Sequence, residues 1–254
     1  MPPDPTAVRL LRHATLVLEY GDRRVLVDPM LAEEGSTPPI ENTPNDRRNP
    51  LVPLPTFDLA GVDAVVVTHL HRDHLDEAAK TALPADLPLF CQPADADALR
   101  EDGFTDVRPV TGRTEWDGID LTRTEGRHGH DDLAEAMGPV SGFVFEHPAE
   151  PTLFVAGDTV WYPGLEDALG THDPDVVVCN AGGARFVEGE PITMTAADVE
   201  RVCRAVPGAE VVAVHVEAIN HCLETRADLE DALAAAGVAD RVSIPADGEV
   251  LEFA

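Results

Sequence analysis

Lysine is almost missing from this chain of 254 residues: among its 18 cationic side chains, Lys80 is the one lysine and the rest are arginines. Aspartate and glutamate number 47, which gives a net charge of -29. A field of that sign repels nucleic acid and anionic membrane surfaces, so we expect neither as a partner. Carboxylates spread along a chain that lacks lysine resemble proteins of salt-loving archaea, because concentrated salt screens their mutual repulsion.

Cysteine is also scarce, and its four positions, 91, 179, 203 and 222, form no CxxC pair. This spacing disfavours a cysteine-rich zinc site and predicts reduced, mostly buried thiols. No apolar run approaches the roughly 20 residues that a bilayer span needs, and the first residues lack a secretory pattern. We therefore expect a cytoplasmic protein, with residues 1–254 forming one globular α/β domain.

Apolar runs that predict strands end repeatedly in polar residues of the kind that bind ligands. Residues 8–18, 24–28 and 62–68 are three such runs, and helices are predicted over 76–83, 94–102, 195–206 and near 225–236. In α/β sheets, sites form where strands reach their carboxyl ends. The residues at these ends are Asp28, His69, Asp158, Asn180 and His215.

The stretch VVVTHLHRDHLD, residues 65–76, places His69, His71, Asp73 and His74 within six positions. Neutral imidazoles suit zinc, manganese or iron, and a carboxylate suits harder ions. One tight turn cannot easily direct all four groups at a single ion, but it can divide them between two neighbouring ions. The alternative, a solvated loop that holds histidines by chance, is far less probable for a chain with ten histidines.

A complete site needs ligands from elsewhere in the chain. The candidates are His128 in GRHGHDD, Asp158 in VAGDT, and His215 or His221 in VAVHVEAINHC. His130 competes with His128, which is preferred because it lies beside Gly129 at a predicted strand exit.

HLHRDH at 69–74 matches the HxHxDH signature of the metallo-β-lactamase fold. The order of the other segments extends this resemblance over nearly the whole chain. Within the superfamily, HATLVLEYGDRRVLVDP is similar to the metal-dependent hydrolases related to L-ascorbate-6-phosphate lactonase. The resemblance implies a four-layer αββα sandwich with the site at one edge.

Carried over position by position, the resemblance implies a binuclear site. His69, His71 and His128 would hold one ion; Asp73, His74 and His215 would hold the other. Asp158 would bridge the two ions, and Asp28 would orient a ligand histidine. Zinc is the first choice of metal, with manganese or iron as alternatives. His13 is expected either to line this site or to pack in the core.

The implied reaction is hydrolysis by a metal-bridging hydroxide that attacks a small ester, lactone or phosphoester, including thioesters of the glyoxalase type. Asp73 is the candidate proton acceptor, and His221 is a candidate proton donor or substrate contact. The expected partner is a small-molecule substrate, with a homo-oligomer as an open expectation. A nuclease-type phosphodiesterase and a non-enzymatic metal-binding protein remain the alternatives. An oxygen-reducing di-iron role would require a flavin domain, for which this chain has no room.

Overall fold

The computed structural model describes residues 5–254, which form two seven-stranded sheets. The strands of the first sheet, in chain order, are β1 (Thr6–Arg12), β2 (Thr15–Tyr20), β3 (Arg23–Val27), β4 (Ala64–Val67), β5 (Leu89–Cys91), β6 (Val107–Pro109) and, from the end of the chain, β14 (Val250–Phe253). They lie in the order β14-β1-β2-β3-β4-β5-β6, with β3 to β6 parallel.

The second sheet mirrors this arrangement. Its strands are β7 (Arg113–Trp116), β8 (Ile119–Glu125), β9 (Ser141–Glu146), β10 (Leu153–Val155), β11 (Val176–Asn180), β12 (Glu210–Val214) and β13 (Val242–Ser243). They lie in the order β13-β12-β11-β10-β9-β8-β7, and β10 to β13 are parallel. The parallel strands of each sheet therefore present their carboxyl ends together.

In the described part of the chain, six α-helices accompany the sheets: α1 (Glu77–Ala82), α2 (Ala96–Glu101), α3 (Asp131–Met137), α4 (Pro163–His172), α5 (Ala196–Ala205) and α6 (Arg226–Ala236). Short 3₁₀ turns lie at Leu59–Gly61, Pro93–Asp95 and Ala239–Arg241. Over residues 5–254, no helix combines the length and apolar character that crossing a bilayer requires.

Alternating side chains of the buried strands divide the core into layers. In β4, Val66 packs between the two sheets, whereas Val65 and Val67 face the layer that contains Leu99 of α2. On the far side, Val177 of β11 packs against α4, α5 and α6. Because strand side chains alternate in direction, both faces of each sheet are covered. This arrangement confirms the predicted four-layer α/β sandwich.

Two local predictions differ from the structure. The single strand expected over 8–18 is two strands, because His13 adopts a left-handed backbone (φ 57°) that turns β1 into β2. Helices α3 and α4 were not predicted, since the DDLAEAM and PGLEDALGTH segments are short and α4 contains two glycines. By contrast, the predicted cap Thr195 does begin α5, where it forms a capping box with Asp198.

The long segment 35–56 runs across the edge at which the strands end. Asn220 holds it through hydrogen bonds to the backbone of Ile40 and to the side chain of Asn49, which is 2.8 Å away. The buried guanidinium of Arg12 joins the later part of the segment to the chain before it, donating to the carbonyl oxygens of Val52 (3.1 Å) and Met30 (2.8 Å). A loop with this many buried hydrogen bonds has a defined shape.

Candidate metal centre

Strand ends from both sheets bring the predicted site residues to one edge of the sandwich. Asp28 follows β3, and His69 lies two residues beyond β4. From the second sheet, His128, Asp158 and His215 lie just beyond β8, β10 and β12. All five side chains are buried. This is the edge at which α/β sheets form their sites.

The first group of potential ligands contains three histidines. One nitrogen of each of His69, His71 and His128 lies within 4.8 Å of the others. The Nδ1 atom of His128 bonds the carbonyl oxygen of Ile192 at 2.8 Å, which leaves Nε2 facing the group. Such a bond to the second ring nitrogen fixes the orientation of a ligand histidine.

The second group contains a carboxylate and three histidines. Asp73, His74 and His215 meet here with His13, again within 4.8 Å. The Oδ2 atom of Asp73 lies 3.1 Å from His13 Nε2 and 3.9 Å from His215 Nε2. His13 therefore faces the site as well as being buried, so it satisfies both expectations that its sequence context allowed.

Asp158 lies between the two groups, and its carboxylate contacts both of them. Its Oδ2 atom is 3.4 Å from His128 Nε2 and 3.3 Å from His74 Nε2, and its Oδ1 atom is 3.4 Å from His215 Nε2. Asn180 donates to Oδ1 at 2.7 Å and fixes the carboxylate plane. Burial opposes the charge of Asp158, but the surrounding histidines hold the pKa of this carboxyl well below its usual range.

Asp28 orients the second group from behind. Its Oδ2 atom accepts hydrogen bonds from His74 Nδ1 and Thr68 Oγ1, both at 2.7 Å, and its Oδ1 atom accepts from the Thr68 amide. The hydrogen bond to Asp28 uses the Nδ1 proton of His74, so Nε2 is the ring nitrogen that faces Asp158. The resemblance implied this orienting role for Asp28, and the structure shows its hydrogen bond to His74.

Cys222 and Gly182 support His215. The Sγ atom of Cys222 lies 3.4 Å from His215 Nδ1. A Cβ atom on Gly182 would come within 2.1 Å of the carbonyl oxygen of His215, so this position accepts only glycine. Gly182 therefore admits the close approach of the backbone of a site histidine. His13, Asp28 and His215 all have positive φ, a concentration of strain that is common at functional sites.

The two open alternatives separate in the structure. His130 is the N-cap residue of α3 and belongs to neither group, whereas His128 belongs to the first. His221 also lies outside both groups; it lines a cavity of about 180 Å³ with His71, Asp73, His128 and Asp158. Burial lowers the pKa of His221, but Cys222 and Asp73 raise it overall.

Several polar and aromatic residues near the site do not line its cavity. Asn180 is used by Asp158, Arg185 is exposed, and Trp161 and Tyr162 pack against the outer core beside α4. Phe186 and Met137 line the site cavity instead, and the sequence offered no signal for either.

The residues of the two groups fit metal ions. The Nε2 atoms of His74 and His215 are buried and make no hydrogen bond. A buried nitrogen without a partner is costly unless an ion or water uses its lone pair. Although burial acts in the opposite sense, Asp158 raises the pKa of His215 to about 10 and the pKa of His74 well above its usual range. Imidazole nitrogens with carboxylate oxygens are the ligand set of zinc, manganese and iron sites.

Comparison with known proteins agrees with this geometry. Residues 23–216 match the Beta-lactamase superfamily domain. The UPF0173 protein YddR of Bacillus subtilis is 42% identical over 96% of this chain and 98% of its own length. A crystal structure described as isothiocyanate hydrolase from Delia radicum gut bacteria has 39% identity and a TM-score of 0.93, covering 97% of this chain and 99% of that one. A possible metal-dependent hydrolase from Veillonella parvula has 34% identity and a TM-score of 0.94, with 98% and 100% covered.

The chain therefore belongs to the beta-lactamase superfamily, as its HxHxDH segment predicted. Within that superfamily it belongs to the UPF0173 family, which includes YddR.

Proposed function

We propose that this chain is a metal-dependent hydrolase that holds two divalent ions and cleaves a small, uncharged molecule at an electrophilic carbon. The observation that carries the proposal is the position of Asp158, whose carboxylate contacts imidazole nitrogens of two neighbouring groups. His69, His71 and His128 would hold one ion, and Asp73, His74 and His215 the other. Zinc is the proposed metal because nitrogen ligands predominate.

Two such ions, when bound, supply Lewis acidity that lowers the pKa of a water toward neutrality and polarises an electron-poor bond. The chain itself manages the protons. Asp73 is held by its hydrogen bond with His13 and is the proposed acceptor of the proton from the attacking water. His221 lies across the same cavity, has no hydrogen-bond partner for Nδ1, and is the proposed donor to the leaving group.

The first substrate class to test is the isothiocyanates, because the 39% identical neighbour carries the name of an isothiocyanate hydrolase. In that reaction, water oxygen bonds to the central carbon of R–N=C=S and the bond from that carbon to nitrogen breaks. Nitrogen leaves as R–NH₂ after taking both protons of water, and carbonyl sulfide is released. Esters and lactones present a comparable electron-poor carbon and form the second class.

Phosphoesters, and with them the nuclease alternative, fit the cavity less well. Of the described residues that line it, Arg72 is the one arginine or lysine, and its guanidinium donates to the carbonyl oxygen of Pro39. Among these residues, a phosphate would therefore meet buried carboxylates and, apart from Arg72, no arginine or lysine. The same objection applies to the phosphate of L-ascorbate-6-phosphate.

The test is to purify the protein at high salt without chelator and to measure its metal content and its activity together. We expect about two ions per chain, and hydrolysis of 2-phenylethyl isothiocyanate, followed as amine release. 4-nitrophenyl acetate, a γ-lactone and bis(4-nitrophenyl) phosphate are run beside it. Asp158→Ala should lose both metal and activity.

Three outcomes would count against the proposal. Two bound ions without turnover of any compound would favour the metal-binding alternative. Preference for the phosphodiester would favour the nuclease-type reading, and turnover without metal would remove the basis of the mechanism.

A further inference from the structure

A second cavity, of about 230 Å³, lies beside the metal centre. It is enclosed by the 35–56 segment, by the turn that carries Asp73, and by the start of α1. Most of its surface is apolar, with side chains from Met30, Pro38, Ile40, Leu75, Ala78 and Ile219. Ligand pockets commonly combine such an apolar lining with a few polar groups at one end.

This cavity adjoins the site cavity. Ile40, Arg72 and Asp73 line both. Asp73 also belongs to the second ligand group, so the apolar cavity begins at the metal centre. A molecule whose reactive carbon lies at the metal centre would therefore direct its substituent past Ile40 into the apolar cavity.

The polar side chains around the apolar cavity are already occupied by the protein. Asp76 accepts from the backbone amides of Ala32 and Ala79, each at 2.7 Å. Asn49 is bonded to Asn220, and Arg72 to Pro39. A hydroxyl or charged group placed in the apolar part of this cavity, away from exposed Arg72 and Glu77, would lose its water without gaining a partner, which is costly. An anionic group would also meet the carboxylates of Asp73 and Asp76.

The wall of the cavity is fixed before any ligand arrives. Asn220 bonds both the amide and the carbonyl oxygen of Ile40, at 2.9 and 3.0 Å. The backbone amide of Asn220 donates to Asn49 Oδ1 at 2.9 Å, which holds the later part of the 35–56 segment beside the neighbouring Ile219. A preformed apolar pocket binds without the cost of ordering a loop.

We propose that this cavity receives the alkyl or aryl substituent of an uncharged substrate, and that the residues lining it, Ala78 among them, determine substrate preference. The proposal deepens the proposed function and rests on it. It selects compounds with an apolar tail over phosphorylated or polyhydroxylated ones.

The kinetic test compares methyl, propyl and 2-phenylethyl isothiocyanates. In the unmodified protein, kcat/KM should rise about fourfold for each methylene added between methyl and propyl, as burial of a CH₂ group predicts. Ala78→Phe should abolish this rise between methyl and propyl isothiocyanate. Ala82→Phe is the matched control, because Ala82 is an exposed residue of the same helix outside the cavity, and it should leave the rise intact. An unchanged rise in Ala78→Phe would overturn the proposal.

A second measurement does not depend on catalysis. Binding of 2-phenylethanol to the metal-free protein is followed by ligand-observed NMR for the same three proteins. We expect binding to the unmodified protein and to Ala82→Phe, and loss of binding in Ala78→Phe. If this pattern appears but no compound is hydrolysed, the proposed function fails and the cavity assignment stands. Binding that Ala78→Phe leaves intact, or no binding to any of the three, overturns the cavity assignment.

Discussion

Asp28→Asn tests whether a buried carboxylate behind the ligand histidines controls metal affinity. The side chain is 1% exposed and accepts three hydrogen bonds, one of them from His74 Nδ1 at 2.7 Å. Asparagine has almost the same shape but one acceptor oxygen. If that oxygen still accepts the hydrogen bond from the Thr68 amide, the new NH₂ group faces the Nδ1 proton of His74. Two donors then face each other. His74 must then lose the bond or move its proton to Nε2, the atom that faces Asp158.

The expected magnitude follows from that bond. A hydrogen bond to a charged group contributes about 1.5–3 kcal/mol, which corresponds to roughly a 10- to 100-fold weaker metal complex. Zinc affinity is measured by competition with a chromophoric chelator at fixed pH and high salt. Asp76→Asn is the matched control: Asp76 is also buried and accepts two backbone amides, but it contacts no histidine. We expect that control to lower the melting temperature and to leave zinc affinity unchanged. Equal zinc affinity in Asp28→Asn and the unmodified protein would refute the reasoning.

Three further predictions concern protons, the thiol and salt. Zinc affinity should increase from pH 6 to 8, because the pKa of His215 is raised to about 10 in the metal-free site and a bound histidine must be neutral; chelator competition across this range that shows no change would contradict it. Cys222→Val should weaken zinc binding more than Cys222→Ser, because only serine can replace the Sγ contact with His215 Nδ1; equal losses would assign Cys222 to packing. Raising KCl from 0.1 to 2 M should raise the melting temperature, because salt screens a net charge of -29; an equal rise in sucrose of the same osmolality would exclude screening as the cause.

The local sequence was sufficient to predict the ligand-rich strand ends. Continuous apolar runs such as DAVVVT predict strands buried on both faces, and the polar residue after each run marks its carboxyl end. Because parallel strands end at the same edge of a sheet, the polar residues that follow these five strands are expected to lie close together. The four-layer order was not available from periodicity and came from the resemblance to a known fold.

What could not be predicted depends on contacts between distant segments. His13 reaches Asp73 across 60 positions because a left-handed turn reverses β1 into β2, and no local pattern marks that turn. Asn220 and Asn49 are 171 positions apart, yet their mutual hydrogen bonds shape the wall of the apolar cavity. Helix α3 was not predicted because its segment is short and polar. Its last residue, Met137, lines the site cavity.

The charge inside the site is balanced differently from the charge on the surface. Asp28, Asp73 and Asp158 are buried, where neither salt nor water can screen them as it screens exposed carboxylates. In the metal-free protein the compensating charge must come from imidazolium, which is why the pKa values of His74 and His215 are raised. Divalent ions would replace those protons and leave the same carboxylates compensated. The buried aspartates thus favour cations at the strand ends, whereas the apolar cavity beside them, with its polar groups already bonded, favours an uncharged substituent.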